Sequence, residues 1–140
     1  MTITTLQYSG SFSGTENYQI YYEDTDFTGY VYHSNYLKYF ERSREHILGI
    51  DFLKQLYKEG IHFVVAEVNL KYRAAANHGD LITVETEVKY NKSPLIHFVQ
   101  TAKRDQTTIV DGIIQLAIVD ASGRPICPPD LVVAEFTKYL

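Results

Sequence analysis

The period of the apolar residues changes once along this chain, and that change limits the folds open to it. From Ser34 to Ile50, SNYLKYFERSREHILGI sets Tyr36, Leu37, Phe40, Ile47 and Leu48 against Lys38, Glu41, Arg42 and Glu45, the spacing of an amphipathic helix. From His62 onward the period is two. In LITVETEVKY, Ile82, Val84, Thr86 and Val88 alternate with Thr83, Glu85, Glu87 and Lys89, as in a half-buried strand. HFVVAEVNLKY, LIHFVQTA and TIVDGIIQLAIVD read as three more strands, and NYQIYYE, ahead of the helix, as the first. Ser34 and Asn35 are candidate caps for the helix and Gly49 its stop; DFLKQLYKEG, capped by Asp51, predicts a second short helix, and a third follows Pro129.

The breaks AAANHGD, NKSP and KRDQ are short and turn-rich, so the strands connect as hairpins and the last four are expected to form an antiparallel meander. One long helix among five strands hides its apolar stripe by having a curved sheet wrap around it, an α+β arrangement. Residues 1–140 read as a single domain, with 1–16, small and polar, as a flexible start. The long edge strands of such a sheet invite pairing with a second copy, so a dimer, or a tetramer built from two dimers, is expected.

Composition removes several function classes. The chain is 45% hydrophobic and 21% charged, as folded domains are, and its net charge of -4 without a Lys/Arg cluster offers no field for nucleic acid. A local basic patch for a phosphorylated ligand remains open. Cys127 has no second cysteine with which to form a disulfide or a zinc motif. The start lacks a basic and then apolar leader, and charges interrupt every apolar run before it reaches the length of a membrane span, so residence in the cytoplasm is expected.

Between the first strand and the helix lies YEDTDFTGYVYH, residues 22–33. Asp-x-Asp before a glycine can be turn chemistry, a pair of metal ligands, or a catalytic carboxylate. An aspartate is ionised at neutral pH and can act as base or nucleophile, while the free N–H groups around Tyr32, His33 and Ser34 would sit at the helix start and favour developing negative charge. The metal reading has no HExxH or closely spaced histidine pair behind it. His62, His78 and His97 have no partner pattern, and Glu41, among Lys38, Arg44 and Glu45, fits a solvated ion pair.

The run Asp24-Thr25-Asp26-Phe27-Thr28-Gly29-Tyr30-Val31-Tyr32-His33-Ser34-Asn35-Tyr36, followed by Tyr39-Phe40-Glu41-Arg42 and Arg44, resembles the 4-hydroxybenzoyl-CoA thioesterase family of hotdog-fold enzymes. Within it the chain is similar to the bacterial acyl-CoA thioesterases of the Tol-Pal-associated type. The likeness continues through Phe63-Val64-Val65, Tyr72-Arg73, Gly79-Asp80 and Gly123-Arg124-Pro125, so it covers the domain from Tyr18 onward. It implies a five-stranded antiparallel sheet wrapped around one long central helix, with no cofactor and no metal. It implies that Asp26 attacks the thioester carbonyl or activates water, and that the backbone N–H of His33 polarises that carbonyl. A backbone donor near His62 and Phe63 of a partner subunit would complete the site.

Lys92-Ser93 matches the place where the family meets the CoA phosphates, although Lys92 is the only cation there. Tyr32 is the tyrosine placed to touch an acyl group; Tyr36 and Tyr39 are core or interface residues. Asp24 is assigned to bracing the loop. The implied substrate is an acyl-CoA or an acyl-carrier-protein thioester. The rival readings are a carrier-specific thioesterase of fatty-acid or polyketide assembly and a non-catalytic acyl-binding hotdog protein. A hotdog dehydratase would need a histidine followed by a Pro-Gly helix start, which is missing.

Overall fold

The computed structural model describes residues 10–138. The elements, in chain order, are β1 (Gly10–Gln19), a 3-10 turn (Tyr22–Asp24), α1 (Asn35–Leu48), α2 (Ile50–Lys58), β2 (His62–Tyr72), β3 (Leu81–Tyr90), β4 (Leu95–Arg104), β5 (Thr107–Val119) and α3 (Asp130–Thr137). The five strands make one sheet in the order β1-β3-β4-β5-β2, and every neighbouring pair is antiparallel. Only β3, β4 and β5 form a meander. β2 crosses to the far edge and pairs with β5, so the expected four-strand meander is corrected: two helices precede β2 and the longer link from Arg73 to Asp80 follows it, which frees it from β3.

The inner face of the sheet carries Ile82, Val84, Val88, Ile96, Phe98, Val110, Ile114 and Leu116, and it closes over Tyr36, Tyr39, Phe40 and Leu48 of α1. Phe40 and Phe98 are wholly buried, each contributing roughly 1.5–3 kcal/mol by leaving water. The inward stripe of α1 differs from the one apolar spacing predicts. Leu37 faces out, while Ser43 and Arg44 are buried because partners across the core satisfy them. The Tyr18 hydroxyl and Ser43 Oγ lie 2.9 Å apart. Arg44 Nη1 donates to Gln100 Oε1 at 3.1 Å, and Gln100 Nε2 donates in turn to the Phe40 carbonyl and to Thr86 Oγ1. Arg44 is thus withdrawn from the solvated ion pair expected with Glu41; burial lowers its pKa, and the nearby Glu41 and Glu45 act against that shift.

Two boundaries also move. The first strand begins at Gly10, so residues 10–16 of the expected flexible start are paired with β3, while residues 1–9 lie outside the described residues. Its inward positions there are Phe12, Gly14 and Glu16, too few apolar groups to show a period of two. Gly14 is small because α1 passes close: a Cβ there would stand 3.2 Å from the Ile47 side chain. The strand ends at Gln19, since Asp24 Oδ2 takes the Tyr21 N–H at 2.8 Å and turns the chain. Neither expected cap bonds to its helix through a side chain: Ser34 makes no such bond, Asn35 Nδ2 donates to Asp24 Oδ1 instead, and Gly49, not Asp51, precedes α2.

Candidate active site

Residues 24–32 form a miniature hairpin between the strand and the helix. Tyr32 N–H donates to the Asp24 carbonyl at 2.9 Å, Thr25 bridges Val31, and Asp26 N–H donates to the Tyr30 carbonyl at 3.0 Å. At the tip, Gly29 N–H donates to the Asp26 carbonyl at 3.0 Å, with Gly29 at φ 82°, a conformation that glycine adopts without strain. The hairpin leans on the segment after β2: Val31 N–H reaches the Ala76 carbonyl, and Tyr30 bridges Asn77. That segment is itself braced. Asp80 Oδ2 accepts from Asn77 N–H at 2.8 Å and from Arg104 Nη1 at 3.1 Å, contacts that hold the Asp80 carboxyl below its ordinary pKa.

The two aspartates of this hairpin live differently. Asp24 is half-buried and bonded to Tyr21 N–H and Asn35 Nδ2. The Tyr39 hydroxyl lies near Asp24 and Asn35 without a hydrogen bond of good geometry, and its pKa is raised first by burial and then by the Asp24 carboxylate. Asp26 faces solvent. Its Oδ1 accepts from the Thr28 hydroxyl at 2.5 Å and from Thr28 N–H at 2.8 Å, and these bonds, with the nearby His33 imidazole adding a smaller pull, hold its pKa below the ordinary carboxylate range. Asp26 is therefore ionised at neutral pH, with Oδ2 left over for chemistry.

The helix start supplies the complementary polarity. The Tyr32 carbonyl accepts from Asn35 N–H and the Ser34 carbonyl from Leu37 N–H, whereas the N–H groups of His33 and Ser34 meet no acceptor among the described residues. Free N–H groups at the start of a helix are an anion site. The exposed His33 ring sits edge-on to Tyr32 at 4.7 Å and to Tyr72 at 6.2 Å. Tyr36 lies beneath, its phenol pushed up to about 12 by burial.

The other expected site residues are elsewhere. Asp26, Tyr32 and His33 stand at the Tyr72 end of β2. His62 and Phe63 begin that strand, ten steps away, or roughly 33 Å at the usual rise per residue. Lys92 and Ser93 share the His62 end, in the turn between β3 and β4; Lys92 is exposed, while Ser93 donates its N–H to Asn91 Oδ1 and accepts the Leu95 N–H. One chain does not bring these two groups together. Three clefts of about 250, 360 and 330 Å³ lie elsewhere on the protomer, and none is lined by Asp26, Tyr32 or His33. Among the described residues no three His, Cys, Asp or Glu side chains cluster, and no helix is long and apolar enough to cross a membrane.

Thr28, Tyr72 and the Asp80–Arg104 pair are site residues to which the sequence assigns no role. The spacing Asp26-x-Thr28 is a readable side-chain turn signal. Tyr72 and Asp80 are visible only as parts of the resemblance.

The family profile described as "Thioesterase-like superfamily" matches residues 21–136. The chain is 38% identical over 122 residues to the acyl-CoA thioesterase YbgC of Haemophilus influenzae, spanning 84% of this chain and 90% of that protein. It is 30% identical over 124 residues to the acyl-CoA thioester hydrolase YbgC of Escherichia coli, with 86% and 92% covered. The fold matches the crystal structure of a probable thioesterase from Bartonella henselae with a TM-score of 0.76 at 24% identity, covering 84% of this chain and 100% of that one. The chain belongs to the thioesterase-like superfamily and is a thioesterase of the hotdog fold.

Proposed function

We propose that this protein hydrolyses acyl-CoA thioesters to the free acid and CoA, at a site assembled from two copies of the chain. The observation that carries the reading is the Asp26 carboxylate, locked by Thr28 in the same hairpin that leads to the unpaired N–H groups of His33 and Ser34. With the thioester oxygen on those donors, charge developing on it is met by preorganised dipoles, each worth roughly 100- to 1000-fold in rate. Asp26 then acts in one of two ways. As general base it takes a proton from water, whose oxygen attacks the carbonyl carbon; as nucleophile it forms a mixed anhydride that water opens. In both, the C–S bond breaks and CoA leaves as its thiolate; the proton that converts it to the thiol comes from the water, through protonated Asp26 in the first route and when water opens the anhydride in the second.

The second copy is supported by the edge strand. Val64, Val65 and Val68 of β2 are 44%, 56% and 42% exposed, on a strand whose outer edge has unpaired backbone groups. A two-fold axis pairs a strand with its own copy antiparallel, so the His62 end of one chain meets the Tyr72 end of the other. The partner's His62 and Phe63 then approach Asp26 and His33, and the partner's Lys92 lies on the side where a CoA phosphate would reach. Covering Asp26 in this way raises its pKa toward that of a useful base. Tyr32 is placed to border the acyl group.

A carrier-protein thioester is the second reading, favoured by Lys92 being the only cation in its turn. The resemblance also extends to an association with Tol-Pal proteins, for which co-purification is the check. Asp26→Asn, assayed on acyl-CoA and acyl-carrier substrates that include aromatic and straight-chain acyl groups, is expected to lose about 100- to 10,000-fold in kcat while remaining folded. Hydrolysis at the wild-type rate by that variant would remove Asp26 from the reaction.

A further inference from the structure

The carbonyl of His33 is left out of the helix ladder, and its partner comes from the far side of the sheet sequence. An α-helical pattern would give it the Leu37 N–H, but that group donates to the Ser34 carbonyl at 3.1 Å instead. The Tyr72 hydroxyl, 39 residues on, donates to the His33 oxygen at 2.9 Å. Tyr72 is the last residue of β2, and its ring packs against Tyr36 at 6.0 Å and against His33 at 6.2 Å. Burial raises the pKa of its phenol, so it stays a donor through neutral pH.

We infer that Tyr72 is a positioning residue for the reaction: by holding the His33 carbonyl it aims the Ser34 N–H at the thioester oxygen, making that group a second donor beside His33 N–H. The inference rests on the thioesterase reading above and deepens it. The physical reason is the planarity of the peptide unit. In a trans peptide C=O and N–H point in opposite directions, so fixing the oxygen of the His33–Ser34 unit fixes the direction of its N–H. A hydrogen bond to the oxygen also polarises the unit and strengthens the N–H as a donor. The preceding unit is fixed in the same manner, because the Tyr32 carbonyl accepts the Asn35 N–H at 2.8 Å and so orients the His33 N–H. One donor is thus set by local turn geometry and the other by a residue on the edge strand.

The test compares Tyr72→Phe with Tyr72→Ala, and with Asp26→Asn alongside. Tyr72→Phe keeps the ring contacts and loses only the hydroxyl. It is expected to lower kcat about tenfold, less than outright loss of a donor, with KM little changed. In the nuclear magnetic resonance spectrum of the same variant, the Ser34 amide proton is expected to move upfield, a readout that loss of packing elsewhere would not give. A wild-type kcat in Tyr72→Phe with a loss only in Tyr72→Ala overturns the inference, because the ring and not the hydroxyl then matters. An unmoved Ser34 amide resonance overturns it as well. If Asp26→Asn is inactive while Tyr72→Phe is not impaired, the role of Tyr72 alone fails; if neither variant is impaired, the site reading itself fails.

Discussion

The two ends of β2 are built for different tasks. At the Tyr72 end the chain folds back on itself: the 24–32 hairpin, the 75–80 turn and the start of α1 are cross-linked by short hydrogen bonds that hold one carboxylate and two free N–H groups. At the His62 end, where Val119 pairs with His62, the bonds close a surface turn instead: Asp120 Oδ1 accepts from Ser122 N–H, the Ser122 hydroxyl and Arg124 N–H. His62 stacks edge-on to Tyr57 at 5.6 Å, and the Asn91–Pro94 turn is held by its own side chains. One end sets a carboxylate beside a helix start, and the other closes turns around the start of the edge strand. On the proposed function these are two half-sites at opposite ends of one edge strand, which a second, antiparallel copy would bring together.

Breaking the strand pairing is the most damaging change to this arrangement. Val65→Lys with Val68→Lys puts like charges across the two-fold axis, and sedimentation is expected to show monomers with activity down at least about 100-fold, the scale of a misassembled site. Full activity in a monomer would mean that the two ends never meet. At the Tyr72 end, Asp24→Ala removes the brace between Tyr21 and Asn35. It is expected to cost about 1–2 kcal/mol in denaturant unfolding, whereas Asp26→Asn leaves stability near wild type. Equal stability of the two variants would erase the distinction between brace and reactive group.

A smaller effect sharpens the electrostatics of that end. The Thr28 hydroxyl is the main cause of the lowered Asp26 pKa, so Thr28→Val raises it. A depressed carboxylate pKa keeps the anion available down to low pH, and the acid limb of kcat/KM is therefore expected to move to higher pH in the variant. An unmoved limb would assign that limb to another group. The mildest change is at the His62 end: Lys92→Ala is expected to raise KM for acyl-CoA several-fold, by about 1 kcal/mol of exposed charge, with kcat unchanged. No change with CoA but a change with carrier protein would favour the second substrate.

Much of the fold is legible in the sequence where a strand is half-buried. β3 runs as alternation predicts, because a side chain's face is set by the two-residue pleat of its own strand, while β2 keeps its predicted bounds but shifts register between Val65 and Glu67 and does not alternate in burial. The start of β1 is not legible, since Ser11, Ser13 and Thr15 face out and Gly14 makes room for Ile47. Nor is the inward turn of Ser43 and Arg44. Apolar spacing does not register polar groups that find partners 25 and 56 residues away. The candidate site is legible as a set of residue types in the hairpin, and through the resemblance as roles, but the aid of Tyr72 and Asp80 depends on chain segments that meet only when the sheet closes.

By itself, then, the sequence determined the four strands from His62 onward, the early helix, and a loop with two carboxylates, a glycine and a helix start in the order the proposed chemistry needs. Periodicity and turn chemistry are local, and neighbours along the chain suffice to express them. Tertiary structure alone decided that β2 would leave the meander for the far edge, that Ser43 and Arg44 would turn inward, and that Tyr72 would reach the His33 carbonyl. Those outcomes depend on which distant groups become neighbours, and that depends on how strand pairing and core packing offset the entropy of closing the loops between them.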